Sequence, residues 1–365
     1  MYIKSIKLKD FRNYENAFIS FSEGTNIIYG NNAQGKTNIL ESIFLFCTAR
    51  SHRRASDKEM IRRGADFANI EINFTDGIRD YDGKMRILDG KKKSVAINSV
   101  SIKKISQIAD YINVVMFSPD DLSVIKDSPS YRRRFYDMSI SQISPAYVSL
   151  LNEYIKILNQ RNNLLKEIKK SGNDDTLEIW DNYLIDLSCR ITKYRYELTK
   201  RLCDEAKKIH SEISGEELDI KYISNCGENT DNTEKLREEM GEKIKKTRRR
   251  DIETGTSNTG CHRDDFVFLI NGADVKIYGS QGQQRSVILS LKLALTEIIK
   301  SVRGAYPIIL LDDIMSELDE SRRRYVSQKI EGKQVILTCT DREQERDFPC
   351  VKYFYVADNS VKEDS

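Results

Sequence analysis

The 365-residue sequence predicts an α/β fold, a mixed sheet with helices plus a small antiparallel sheet, into which an all-helical lobe is inserted. Three observations predict it. Residues 30–37 read GNNAQGKT, a full match to G-x-x-x-x-G-K-[ST], between a short apolar strand signal at 26–29 and an amphipathic helix signal at 38–47. A second apolar run, 307–311, reads as a buried parallel-type strand and delivers Asp312 and Asp313 to its carboxyl end. Between them, from about 122 to 213, two-residue alternation gives way to helical spacing.

Taken in order, Ile6 and Leu8 alternate with Lys7 and Lys9, and Ala17, Ile19 and Phe21 alternate with polar neighbours. Two strands joined at Arg12-Asn13-Tyr14 are expected, leading into the strand before the glycine loop. A polar, basic loop follows at 48–54. Residues 67–97 alternate between the turn signals Asp76-Gly77 and Asp89-Gly90, which predicts the small antiparallel sheet. Residues 112–117 form an apolar strand ending at Ser118-Pro119-Asp120-Asp121.

Apolar positions 150, 151, 154, 157, 158, 164, 165 and 168, then 180, 184, 187, 191, 194 and 198, make two long helices around a polar break at 171–175, hence a helical hairpin. Strand character returns at 218–223 and at Phe266, Phe268 and Ile270. A charged segment (234–250) and a polar loop (254–260) lie between them. Residues 281–300 carry a continuous apolar helix face, 334–337 a further buried strand, and 358–365 read as frayed. The predicted division is therefore one α/β lobe, 1–121 with 214–365, and one helical lobe, 122–213.

Bulk composition narrows the function classes. Charged residues make up 32% but the net charge is only +3, so any nucleic-acid contact must come from local clusters. Seven widely spaced cysteines with no C-x-x-C pair give neither a disulfide framework nor a zinc site, and suit a reducing cytosol. The opening residues carry no apolar core of signal-peptide length and no stretch approaches a membrane span, so a cytoplasmic protein is expected.

The glycine loop has the composition of a phosphate cradle. Gly30 and Gly35 allow tight turning, so that the N–H groups of Asn31, Asn32, Ala33, Gln34 and their neighbours converge on one oxygen cluster, with the positive end of the next helix behind them. Lys36 is the candidate for the outer phosphates, Thr37 and Asp312 for Mg²⁺, and Asp313 for positioning or deprotonating an attacking water. A nucleotide with Mg²⁺ is the expected ligand. A second anion motif, Ser280, Gln281, Gly282 and Gln283, opens the 281–300 helix and must serve another nucleotide or another subunit.

The order GNNAQGKT, SQGQQR, PIILLDD and Ser316-Glu317-Leu318-Asp319 resembles the ABC-type ATPase heads of the SMC class. Within that class the chain resembles the RecF family through residues 6–14 (IKLKDFRNY), 48–53 (TARSHR), 117–122 (FSPDDL), Ser128-Pro129 with Arg132-Arg133-Arg134, and 261–266 (CHRDDF). These stretches cover nearly the whole chain. The resemblance implies that Ser280–Gln283 is the signature motif acting in trans, that Ser316 and Asp319 belong to the D-loop, and that two heads dimerise on ATP. It implies a DNA-binding protein of replication, recombinational gap repair and the SOS response, a clamp at single-strand/double-strand junctions with RecR and RecO as partners in recombinase loading. Asp313 stands where most ABC-type ATPases carry glutamate, and residues 338–341 (TCTD) lack the switch histidine, so slow hydrolysis is implied.

Among cationic clusters, Arg50, Arg53, Arg54, Arg62 and Arg63 lie in or near one loop, and Arg132–134 and Arg248–250 form triplets. They are the candidate contacts for a DNA backbone, with a solvated charged face as the alternative for each cluster and the nucleotide interface as a further one for Arg132–134. The competing reading is an ABC-type ATPase subunit that acts only through a partner protein and has no intrinsic DNA affinity.

Overall fold

The computed structural model describes residues 1–172, 174–341, 348 and 351–364. The chain folds as two compact units, one of Met1–Asp121 with Lys292–Ser365 and another of Leu122–Leu291.

The first unit opens with β1 (Tyr2–Phe11) and β2 (Tyr14–Ser20), joined where Arg12 takes a left-handed φ of 55°. β3 (Thr25–Tyr29) leads through the glycine loop into α1 (Lys36–Thr48). A short α2 (Asp57–Met60) precedes β4 (Phe67–Thr75), β5 (Asp80–Leu88), β6 (Ser94–Ile97), β7 (Val100–Ser101) and β8 (Val114–Phe117). Strands β1, β2 and β4–β7 make one antiparallel sheet, order β2-β1-β4-β5-β6-β7, larger than the sequence suggested because the N-terminal hairpin joins it.

The second unit holds α3 (Ser123–Lys126), α4 (Pro129–Ile143), α5 (Pro145–Ser171), α6 (Leu177–Ser214), β9 (Leu218–Ile223), α7 (Thr233–Thr254), β10 (Asp265–Ile270), β11 (Ala273–Asp274), α8 (Val275–Tyr278) and the start of α9 (Gln281–Arg303). The chain then completes the first unit with β12 (Ile308–Asp312), α10 (Glu320–Ile330), β13 (Val335–Cys339), β14 (Val351–Ala357) and β15 (Ser360–Asp364). Its second sheet runs β15-β14-β3-β13-β12-β8, parallel except for the β15 edge.

Parallel order requires strands buried on both faces, and Ile308, Ile309, Leu310, Leu311, Val335, Ile336 and Leu337 are all at most 1% exposed. Helix α1 packs against β8, β12 and β13 of this sheet and against β1 and β4 of the antiparallel one. Its Ile39, Leu40, Ile43, Leu45 and Phe46 are fully buried, each contributing about 1.5–3 kcal/mol. The glycine loop is thus fixed at the head of a deeply packed helix.

Two expectations need correction, and one segment gains an element. The unit beginning at Leu122 is not all-helical and does not end at 213; it continues to Leu291 and includes the sheet β11-β10-β9. The reason is packing, since Phe266 of β10 stacks on Tyr136 of α4 at 3.5 Å and β9 lies along α6. The charged segment 234–250 lies within a helix, α7, which buries a thin apolar stripe of Leu236, Met240 and Ile244 together with Asp251. Residues 358–364 are not frayed: β15 pairs with β14 across a two-residue turn, with Asp358 at φ 47° and Asn359 at φ 58°. Of the seven cysteines, six are free thiols and Cys350 lies outside the described residues. Among the described residues no helix is long and apolar enough to cross a membrane.

The α5–α6 hairpin is tied to α7 by a buried ion cluster. Arg161, with no exposed side-chain surface, donates to Asp181 at 2.7 Å, Asp251 at 2.9 Å and Ser257 at 2.7 Å, and Arg248 donates to Asp181 at 2.8 Å. Removing one partner of such a cluster strands the others without compensation. Arg161→Ala is expected to cost about 3–5 kcal/mol, read as a lower urea midpoint; an unchanged midpoint would contradict this account.

Candidate nucleotide-binding site

The site is built where β3 ends. Gly30 (φ 145°), Ala33 (φ 64°) and Gly35 (φ 105°) turn the loop through conformations that side chains resist. At Gly30 a Cβ would collide with the Val356 carbonyl oxygen, and at Gly35 with the Asn13 amide and the Tyr14 hydroxyl. Asn13 Nδ2 donates to the Gln34 carbonyl at 3.2 Å, Asn38 Nδ2 to Asn13 Oδ1 at 2.7 Å, and the Asp358 N–H to Gln34 Oε1 at 2.9 Å. The loop is therefore clasped from outside, leaving its concave side for a ligand. Gly35 caps α1, whose positive end faces the loop.

Lys36 is 8% exposed and folds back, its Nζ donating to the carbonyls of Gly30 at 2.6 Å and Asn31 at 2.9 Å. Burial lowers its pKa, and Asp313 and Asp312 oppose that shift. Thr37 Oγ1 donates to Asp312 Oδ1 at 2.7 Å, and Thr338 Oγ1 to the same oxygen at 2.9 Å. Asp312 is 6% exposed; burial raises its pKa against the two hydroxyl bonds, which lower it, and Arg53 also pulls it down through space. Asp313 takes a left-handed φ of 51°, with its N–H on the Thr338 carbonyl at 3.2 Å. Ser316 Oγ donates to the Asp313 carbonyl at 2.8 Å. Asp319 caps α10, accepting from the Arg322 N–H at 2.9 Å.

These groups fit a magnesium nucleotide. Among the described residues no three His, Cys, Asp or Glu side chains gather as a complete metal cage. One hydroxyl and one carboxylate at the end of a phosphate cradle are the sparse donor set Mg²⁺ takes when phosphates and water supply the rest.

Ser280 and Gln283 form a capping box at the start of α9: the Ser280 N–H donates to Gln283 Oε1 at 2.9 Å and the Gln283 N–H to Ser280 Oγ at 3.2 Å. Gln283 Nε2 is anchored on Glu216 at 2.7 Å, while Ser280 and Gln281 are exposed and Gly282 is half-buried. The motif is hydrogen-bonded at Ser280 and Gln283 and solvent-exposed at Ser280 and Gln281.

The arginine clusters divide. Arg50, Arg53, Arg54 and Arg63 are exposed, whereas Arg62 is paired with Asp10 at 2.7 Å. Arg132 is buried in a fork on Asp265 (2.6 and 3.1 Å), Arg133 donates to the Asp264 carbonyl at 2.7 Å, and Arg248 belongs to the Arg161 cluster. Those cations hold the fold together.

Sequence reading missed Thr338 and the Arg12–Glu41–Ser51 brace. Arg12 forks onto Glu41 at 2.8 Å twice, and Ser51 Oγ donates to Glu41 at 2.5 Å, tying α1 to the basic loop. Burial pushes the fully enclosed Glu41 carboxyl up, but the Arg12 and Ser51 bonds outweigh it and leave it below the usual range. Thr338 had one visible signal, its place at the end of an apolar strand whose register sets it beside Asp312.

Comparison with known proteins fits this geometry. The family model for the RecF/RecN/SMC N-terminal domain matches residues 2–361. The DNA replication and repair protein RecF of Lachnoclostridium phytofermentans is 45% identical over 94% of both chains, and that of Clostridium acetobutylicum 43% identical over 93% of both. A solved structure of the recombination mediator protein RecF with ATP, in the RecFOR pathway, superimposes with a TM-score of 0.94 at 35% identity, covering 100% of this chain and 98% of that one. An SMC head bound to the C-terminal winged-helix domain of ScpA, at 17% identity and a TM-score of 0.57, shares the fold. The chain belongs to the RecF family, a branch of the SMC-type ABC ATPase heads.

Proposed function

We propose that this protein is an ATP-gated DNA-binding protein of cytoplasmic recombinational repair, a slow ATPase that closes as a homodimer on gapped DNA. The observation that carries the reading is the Thr37–Asp312–Thr338 hydrogen-bond chain beside a lysine already held at the phosphate loop. Relatives named as replication and repair proteins, and the likeness to RecF with ATP, support it.

In this reading residues 30–37 wrap the phosphates, and Lys36 exchanges the Gly30 and Asn31 carbonyls for phosphate oxygens. Thr37 and Asp312 hold Mg²⁺, which neutralises charge on the outer phosphates. Asp313 orients water; its carboxylate is one methylene shorter than glutamate, and no histidine stands at 338–341, so turnover is slow. Ser280, Gln281, Gly282 and Gln283 of a second copy complete each site, with Ser316 and Asp319 at the same seam. Because the γ-phosphate contacts both copies only when they are closed, it shifts the population toward the dimer. Arg50, Arg53, Arg54 and Arg63 serve DNA; Arg62 contributes through Asp10 to the loop's shape. RecO and RecR are the partners that the pathway name of the similar structure supports, and the SOS response is the setting this reading assigns.

The test is binding to gapped duplex DNA with and without ATP, in the wild type and Lys36→Met. Wild-type affinity should rise at least about tenfold with ATP, a coupling of about 1.4 kcal/mol, and the mutant should lose that rise. Nucleotide binding with no DNA affinity at low salt would instead favour an ATPase acting only through a partner.

Asp312 supplies a second test. Its folded pKa is raised, so the ionised carboxylate costs stability at neutral pH, and the cost disappears as pH falls through that raised pKa. Asp312→Asn keeps an acceptor for Thr37 and Thr338 without the buried charge. The nucleotide-free variant should be more stable by on the order of 1 kcal/mol while losing Mg²⁺-dependent ATP binding. A lower thermal midpoint would contradict the assignment of burial as the dominant cause.

A further inference from the structure

The antiparallel sheet carries a concentration of charge that the nucleotide site does not use. Residues 83–104 hold seven cations, Lys84, Arg86, Lys91, Lys92, Lys93, Lys103 and Lys104, against one acid, Asp89, a net +6 in a chain whose total is +3. The remainder of the chain is therefore net −3.

Strand register puts part of this charge on one face. Lys7, Glu71, Lys84 and Ala96 stand side by side across β1, β4, β5 and β6, and Lys9, Asn69, Arg86 and Ser94 form the next row. The intervening Ile6, Leu8, Ile70, Met85 and Ile87 are buried, so these rows are the solvent face. The β5–β6 turn brings Lys91 and Lys92 to the Arg86 end. The Ile102 N–H donates to the Val95 carbonyl at 2.8 Å, returning Lys103 and Lys104 toward that same end. Of the acids on these strands, Glu71 lies in the Lys84 row and Asp82 in the row beyond, opposite Asn73, while at the turn itself Asp89 stands against Lys91 and Lys92.

Lys7, Lys9, Lys84, Arg86, Lys91, Lys92, Lys103 and Lys104 are all exposed, and none forms an ion pair among the described residues. Arg86 is braced over the Phe67 ring at 4.0 Å. Arg62, Arg132 and Arg248, by contrast, are all neutralised by aspartates.

We propose that this sheet face and its β5–β6 end bind the phosphate backbone of duplex DNA. The proposal rests on the DNA-binding reading above and gives it a surface. Strand geometry spaces the cations about 7 Å apart along a strand and, with β4 between β1 and β5, about 10 Å apart across the rows, where Asn16, Asn69 and Ser94 supply neutral hydrogen-bond groups. A repeating polyanion matches such a grid; a single small anion does not need it. No side chain here is arranged to read base edges, so the contact is independent of sequence.

The experiment is fluorescence anisotropy of a labelled duplex across a salt series, with ATP. It compares the wild type, the variant Lys84→Gln/Arg86→Gln/Lys91→Gln/Lys92→Gln, and a charge-keeping control, Lys84→Arg/Lys91→Arg/Lys92→Arg. ATP binding by each variant verifies that the phosphate loop is intact. The Gln variant should bind at least about tenfold more weakly at about 150 mM salt, with a log–log salt slope shallower by about 2–4, and the control should bind like wild type. An unchanged slope in the Gln variant, with the wild type binding DNA, overturns this surface and leaves the DNA reading standing. A wild type that does not bind duplex overturns both. Vesicles containing phosphatidylserine form the last arm: loss of vesicle binding with DNA binding preserved overturns the proposal in favour of a membrane surface.

Discussion

The hydrogen bonds that converge on one Asp312 oxygen are the constraint on which the candidate site depends. Thr37 reaches it from α1 and Thr338 from β13, the strand lying between β3 and β12. These contacts exist because the strands are parallel and their carboxyl ends are level, with Asp312 opposite Thr338 and Thr338 opposite Ile28. A carboxylate this deeply enclosed is costly unless hydroxyls or a cation satisfy it. The protein alone supplies two hydroxyls, so the carboxyl remains hard to ionise. That residual demand is what a magnesium nucleotide would meet.

The surrounding loop shows the same economy. Lys36 rests on two backbone carbonyls, so its ammonium is hydrogen-bonded before any phosphate arrives and has only to exchange partners. Asp313 and Ala33 hold left-handed backbone that ordinary residues avoid, and neighbouring hydrogen bonds maintain Asp313 there. Strain kept in place by a packed scaffold is a common feature of sites that must be preorganised. The Arg12–Glu41–Ser51 brace extends this scaffold to the basic loop, whose Arg53 acts electrostatically on Asp312. The candidate phosphate loop and the exposed arginines of the basic loop thus lie within one unit.

The parts of this arrangement legible in the sequence were those with local causes. GNNAQGKT announces its turn through its glycines, and 307–311 announces a doubly buried strand through unbroken apolar residues. Helix α7 was hidden because its apolar inward positions are few, Leu236, Met240, Ile244 and Ile252, in a segment dominated by charge. β15 was hidden because Ser-Val-Lys-Glu-Asp is an edge strand that needs no apolar face. The second unit was cut short because the contacts that extend it, such as Phe266 on Tyr136, join residues far apart in the chain. The same distance concealed the fate of the arginines: Arg132 looks like Arg53 in sequence until Asp265 is found beside it.

The central claim is that each nucleotide is shared between the phosphate loop of one copy and Ser280–Gln283 of the other. Mixing two defective proteins, Lys36→Met and Ser280→Arg, tests it most directly. A mixed dimer contains one wholly intact composite site and one doubly defective site. Sedimentation with ATP should show each variant monomeric alone and a dimer in the mixture, with one nucleotide bound per pair. Dimerisation of either variant alone, or no dimer in the mixture while the wild type dimerises, would contradict a site shared in trans.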